Sequence, residues 1–267
     1  MPVEPVKSKR LYQEVADQIT TLISSGELTL GERLPPERQL ATNFNVSRAT
    51  IREAMIALEI GGIVEIKTGA GIYVLSDLKG NVKAGLADIG PGPFELIEAR
   101  MIFEGEAAAL AAVRISEEEI RELDKKCKEM ASLIAKGESA EVPDRTFHQI
   151  IAAATRNSTI LSTIEQMWAF RTRMPMWQKL HDVISEIEDS PDWNNDRQTI
   201  NDHRNILAAL RARNPDAARL AMQSHLKHVN SALLKASEIE SIEISDAGDF
   251  IKSQSPLQTS TKKNTKK

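Results

Sequence analysis

Two groups of side chains in this sequence are equipped for chemistry. In VPDRTFHQIIAAATRNS, Asp144 and His148 stand four residues apart. On a helix they share one face, where a carboxylate oxygen and an imidazole nitrogen could hold one cation. His203, in RQTINDHRNILAALRAR, and His225, in AARLAMQSHLKHV, fall on later helices, each with its own apolar stripe. Packing of those helices could bring the histidines beside the first pair. The alternative for any lone helical histidine is a surface or core-edge position, and it stays open for His181 and His228.

The second group lies in NVSRATIREAMIALEIGG, residues 45–62. Ser47, Arg48, Ala49, Thr50 and Arg52 occupy the first turns of a helix there. The guanidinium forks of Arg48 and Arg52 can pair bidentately with guanine O6 and N7 or bind phosphates, and the Ser47 and Thr50 hydroxyls suit phosphates. Ala49 is small enough to permit close approach. Arg38, near the start of the preceding helix, is placed to touch a backbone or base edge, and Lys67, Thr68 and Gly69 form a tip suited to a neighbouring minor groove. The competing reading pairs Arg48 and Arg52 with Glu37 and Glu53 on a solvated surface, as most helix-surface arginines do.

The elements that would position these groups are legible from periodicity. LYQEVADQITTLISSG places Leu11, Val15, Ile19, Leu22 and Ile23 on one helical face, with Gly26 as the break. A second helix opens after Pro35 and Pro36, buries Leu40, Ala41 and Phe44, and ends at Asn45 in a left-handed turn. Ser47 caps a third helix running to about Ile60, with Ile51, Ala54, Met55 and Leu58 facing inward. IVEIK and IYVL, joined by TGAG, read as a β-hairpin. Two short helices joined by a tight turn and followed by a hairpin make a winged helix-turn-helix, whose second helix enters the major groove.

SDLKGNVKAGLADIGPGP then interrupts regular structure and reads as a linker. Beyond it the apolar residues recur three and four apart with no alternating stretch of useful length, so this half is all-α. The expected division is 1–75 for the winged head, 76–92 for the linker, 93–243 for an antiparallel helical bundle that binds an effector and dimerises, and 244–267 for a disordered polar and basic tail.

Composition removes several classes of function. A single cysteine, Cys127, forms no intramolecular disulfide and builds no cysteine zinc site, which suits a reducing cytoplasm. Neither a secretory signal nor an apolar run of about 18 residues is present, so no membrane is expected. No P-loop or dinucleotide-binding glycine pattern occurs. The net charge of −4 does not suggest nucleic acid, but the bases of the head cluster at Lys7, Lys9 and Arg10, then at Arg38, Arg48, Arg52 and Lys67.

LPPERQLATNFNVSRATIREAMIALEIGGIVEIKTGAGIYV resembles the DNA-binding domain of the GntR-family bacterial regulators, over roughly residues 9–75. The resemblance implies DNA contacts at Arg38, Ser47, Arg48, Thr50, Arg52 and Gly69. Ala49 departs from the Thr of some relatives, which removes one hydroxyl contact. Residues 93–236 are similar to the FCD ligand-binding domain of FadR-type members. That family's pattern is matched by Arg100 and Glu104, by Asp144 and His148 with the following Asn157, and by His203 and His225. It implies a divalent cation on Asp144, His148, His203 and His225, Zn²⁺ or Ni²⁺ by ligand type, whose open positions accept an organic acid.

MWAFRTRMPMWQKLHDV and PGPFELIEAR resemble stretches of the hexuronate regulators within this family. The sequence thus leads us to expect a cytoplasmic, homodimeric repressor, not an enzyme, that binds an inverted-repeat double-stranded DNA and is released by a hexuronate. Arg100, Asn157, Arg171, Trp177 and His181 are the expected effector contacts. Arg100 has a competing salt bridge to Glu104, and Trp168 and Trp177 have a competing place in the core. Two rivals remain: a metal sensor with the cation as signal, and a metal-dependent enzyme using Glu104 or Glu165 as general base.

Overall fold

A computed structural model describes residues 9–67, 70–76, 89–180 and 195–238. The head begins with α1 (Leu11–Ser25), which ends where Gly26 adopts φ 82° and its N–H turns back to the Leu22 and Ile23 carbonyls. Tyr12, Val15, Ala16, Ile19 and Ile23 are its buried face. Leu11, expected inside, is 53% exposed, and Tyr12 takes the inward position instead. Next come α2 (Glu37–Phe44) and α3 (Arg48–Ile60). Asn45 ends α2 at φ 52°, and the Ser47 hydroxyl accepts the Thr50 N–H at 3.0 Å to start α3.

Strands β1 (Val64–Lys67) and β2 (Gly71–Val74) pair antiparallel with Val64 opposite Val74. The head is a winged helix-turn-helix. Thr68 and Gly69 at the wing tip, most of the expected linker, His181 and the whole tail 244–267 lie outside the described residues.

The body is helical: α4 (Pro93–Arg114), α5 (Glu117–Ile134), α6 (Glu141–Ala154), α7 (Ser158–Arg173), α8 (Asn195–Arg211) and α9 (Pro215–Glu238). Ser116 caps α5 in a reciprocal box with Glu119. Met174 closes α7 in an extended conformation, and helix resumes at Pro175, as a proline at a first helical position allows. The long helices α4 and α9 pack along each other, α8 lies on α9 and α5, and α6 bridges α4, α5 and α7.

One apolar core fills the centre of this bundle, with Ala108, Ala111, Leu123, Phe147, Ile151, Ile206, Leu210, Met222 and Leu226 among its members. A second core is continuous across head and body, joining Ile19, Ile51 and Met55 to Phe94, Ile97, Trp168, Met176, Trp177 and Leu233. Apolar packing of this kind, worth about 1.5–3 kcal/mol per large buried side chain, makes the head part of the same packed unit as the helices behind it.

Candidate functional site

Three helices bring the histidines together. His148 comes from α6, His203 from α8 and His225 from α9; all three are buried, and their ring centroids lie 4.5–5.7 Å apart. Asp144, one turn before His148, supplies the carboxylate. One potential ligand atom from each of the four residues lies within 4.8 Å of the others. Asp144 Oδ1 is 2.9 Å from His203 Nε2 and 3.4 Å from His148 Nε2.

Two of the outer nitrogens are occupied from behind. His148 Nδ1 meets the Glu104 carboxylate, and His203 Nδ1 lies 2.8 Å from the Thr199 carbonyl oxygen, which can only accept. His203 Nδ1 donates to that carbonyl, and its Nε2 faces the cluster, 2.9 Å from Asp144 Oδ1. His225 Nδ1 is buried without a hydrogen-bond partner, with Asp202 Oδ2 3.8 Å away, and Asp202 is itself held by His228 Nδ1 at 2.7 Å and the Gln198 amide at 2.8 Å. His148 Nε2 is buried without a hydrogen-bond partner. Three imidazoles, one carboxylate and an orphaned inward nitrogen suit a borderline-soft divalent cation such as Zn²⁺.

Electrostatics act differently on the members of the cluster. Burial raises the cost of charge on Asp144, but His148 and His203 outweigh it and hold the carboxyl well below its usual range. Burial, with His203 next to it, pulls His225 down to about 4, which keeps it neutral as a ligand must be. His148 is pulled down by burial yet raised overall by Glu104 and Asp144.

The expected effector residues divide. Arg100 is buried and bonded through Nε to Glu104 at 2.6 Å, so the salt bridge to its own helix is the arrangement found. Arg171 lies against the cluster: Nη1 is 3.4 Å from Asp144 Oδ2, Nε is buried without a hydrogen-bond partner, and the guanidinium stands 4.9 Å from the ring centres of both Trp168 and Trp177. Both tryptophans belong to the core, at 0% and 5% exposure, so Trp177 is not the open platform expected of it. Asn157 is not at the cluster's edge but at the start of α7, exposed, its side-chain oxygen accepting the Thr159 and Ile160 N–H groups. An N-cap uses the acceptor that a ligand would need.

On the head, Arg38 and Ser47 are exposed, and Thr50 is half-buried with its hydroxyl 2.8 Å from that of Ser47. Arg48 is half-exposed with Glu37 3.7 Å away. Ala49 is half-buried and packs against the head core. Lys67 is half-exposed beside Glu65 and Tyr73. Arg52 departs from expectation: it is 3% exposed, with Nε bonded to Glu37 at 2.9 Å. It sits one turn further along α3, where the face turns from the surface into the seam with the body.

Residues 11–74 match the bacterial regulatory proteins of the gntR family, and residues 95–228 match the FCD domain. The chain belongs to the GntR family. It is 40% identical over 243 residues to the Uxu operon transcriptional regulator of Escherichia coli (strain K12), covering 88% of this chain and 91% of that protein. It is also 36% identical over 242 residues to the Exu regulon transcriptional regulator of the same organism, covering 86% and 87%, and 33% identical over 233 residues to the Uxu operon regulator of Haemophilus influenzae, covering 86% and 85%. This GntR-family chain is therefore a transcriptional regulator close to the Uxu and Exu regulators, and an enzymatic role is set aside on that ground. Among the described residues no helix is long and apolar enough to cross a membrane.

Sequence reasoning did not find Asp202 behind His225, the Thr199 carbonyl behind His203, or Glu53 between head and body. Asp202 stands next to a histidine it does not serve, so spacing along one helix gave no signal.

Proposed function

We propose that this regulator is a cytoplasmic repressor of genes for uptake and breakdown of hexuronates such as galacturonate and glucuronate, released from its operator by a sugar acid bound at a metal in the body. The observation that carries this reading is the convergence of Asp144, His148, His203 and His225 beside Arg171. Those four residues would hold the cation, Zn²⁺ by ligand type with Ni²⁺ second, and the ion would supply a Lewis acid with positions open to carboxylate and hydroxyl oxygens. Arg171 is the cation placed to take the acid group, since its Nε lacks an acceptor and its stacking between two indoles fixes the plane of the fork. The resemblance of MWAFRTRMPMWQKLHDV and PGPFELIEAR to stretches of hexuronate regulators supports the choice of hexuronate.

Arg38, Ser47, Arg48 and Thr50 would read one DNA half-site with the wing tip at Lys67, Thr68 and Gly69, and a two-fold dimer would read an inverted repeat. An apolar strip supports the dimer: Ile102, Phe103 and Val113 on α4 are 48–65% exposed beside Leu110 and Ile160. Release requires that the acid bind the DNA-incompetent arrangement more tightly than the competent one. Calorimetric titration of metal-loaded protein with galacturonate and glucuronate tests the site. Binding that disappears in His148→Ala and after chelation supports it; undiminished uronate binding by metal-free protein contradicts it. DNA affinity that follows Zn²⁺ and ignores acids would make the metal the signal.

A further inference from the structure

The body holds the recognition helix at two consecutive residues. Glu53 reaches from α3 to the N-terminus of α4, where its carboxylate accepts the Phe94 N–H at 2.9 Å and the Glu95 N–H at 3.3 Å. Glu53 satisfies donors that α4 cannot satisfy itself. The fit relies on Gly92, since a Cβ at that position would lie 2.1 Å from the Glu53 carboxyl carbon. Arg52 faces the other long helix. While Nε bonds Glu37, Nη1 lies 3.5 Å from the Leu234 carbonyl in the last turns of α9. An ion pair between Lys179 and Glu59, and the Tyr12 hydroxyl donating to the Gly90 carbonyl at 2.8 Å, close the same seam.

Both partner helices lead back to the histidine cluster. Along α4, the turn capped by Glu53 is followed by Glu104, whose carboxylate holds His148. Along α9, Leu234 is preceded by His225. Nine residues separate Glu95 from Glu104 and His225 from Leu234, a helical distance of about 13–14 Å in each case. A displacement of either helix at the cluster is thus delivered to one of two neighbouring side chains of α3.

We propose that Arg52 and Glu53 form an intramolecular latch. While Glu53 caps α4 and Arg52 meets the α9 carbonyl, Arg52 is withheld from DNA; an acid bound at the cluster holds α4 and α9 in this closed arrangement, and their movement when the acid leaves opens the latch and frees Arg52. The latch rests on the contact of Arg52 with DNA that the sequence leads us to expect, made once the residue is freed, and is independent of which acid is the effector.

Gly92→Ala tests this from the body side with the head sequence untouched. The Gly92 backbone, at φ −65° and ψ 151°, accommodates alanine, so the substitution expels the Glu53 carboxylate without backbone strain. Full-length, Zn²⁺-treated wild type, Gly92→Ala, Glu53→Ala and Glu53→Gln are compared on a duplex that the wild type selects from random sequence. Gly92→Ala and Glu53→Ala are expected to bind it more tightly, by a factor on the order of 5–150, the range of typical coupling energies. Glu53→Gln keeps an acceptor and is expected to match the wild type. Hydrogen exchange of the α3 amides is expected to change on chelation in the wild type and to stop responding in the two latch variants. Unchanged or weaker DNA binding by Gly92→Ala, with the head melting as in the wild type, would overturn the latch. So would α3 exchange in the wild type that ignores chelation. Latch variants that behave as expected in a protein deaf to every uronate would retain the latch and remove the hexuronate reading alone.

Discussion

Arg171 and Glu53 are the two residues whose chemistry is most exposed to test. If Arg171 takes the acid group, Arg171→Lys keeps the charge but loses the bidentate fork and the stack on two indoles. The expected result is acid affinity reduced by about tenfold or more, the equivalent of about 1.4 kcal/mol, with Zn²⁺ stoichiometry unchanged by elemental analysis. Glu53 is pushed up from 4.5 to about 7, chiefly by burial, with Glu95 adding to it against the two N–H bonds. Its folded pKa lies above its unfolded one, so the native state binds more protons across that window. Stability linked to this group is present below about 4.5, falls as pH rises toward 7, and is level above it. The difference in urea midpoint between wild type and Glu53→Gln, measured from pH 4.5 to 8, should shift against the wild type over that range; a constant difference would show that the carboxyl is not held in its neutral form.

At the scale of elements, caps and helix faces decide what single substitutions do. Asn157→Ala removes the oxygen that accepts two N–H groups at the start of α7 and should cost about 1 kcal/mol of stability. Acid affinity should be untouched, whereas a large loss of it would restore Asn157 to the effector site. On α3, Arg48→Ala should cost about 1–3 kcal/mol on the cognate duplex and little on unrelated DNA if the guanidinium reads a base; equal losses on both would assign it to phosphate. Helix α3 itself was readable because Ser47, Asn45 and the inward stripe agree with one another at every level. The burial of Arg52 was not, because it depends on the end of α9, about 180 residues away in sequence. The Glu53 cap was hidden for the same reason: its donors belong to a helix beyond the linker. Asp144 and His148 were legible from their spacing alone, while bringing His203 and His225 to them required the packing of α6, α8 and α9.

For the whole molecule, a continuous core joins the winged head to the bundle, and the histidine cluster lies between helices that also touch the recognition helix. This arrangement gives ligand chemistry in the body a physical route to DNA contacts in the head. The most direct test measures affinity of the metal-loaded protein for an inverted-repeat operator at one fixed salt concentration, titrated with galacturonate, glucuronate and fructuronate. The account predicts that one of these acids releases the DNA and that chelation or His148→Ala abolishes the release. Operator binding that no uronate alters, with metal bound and the protein folded, would contradict it.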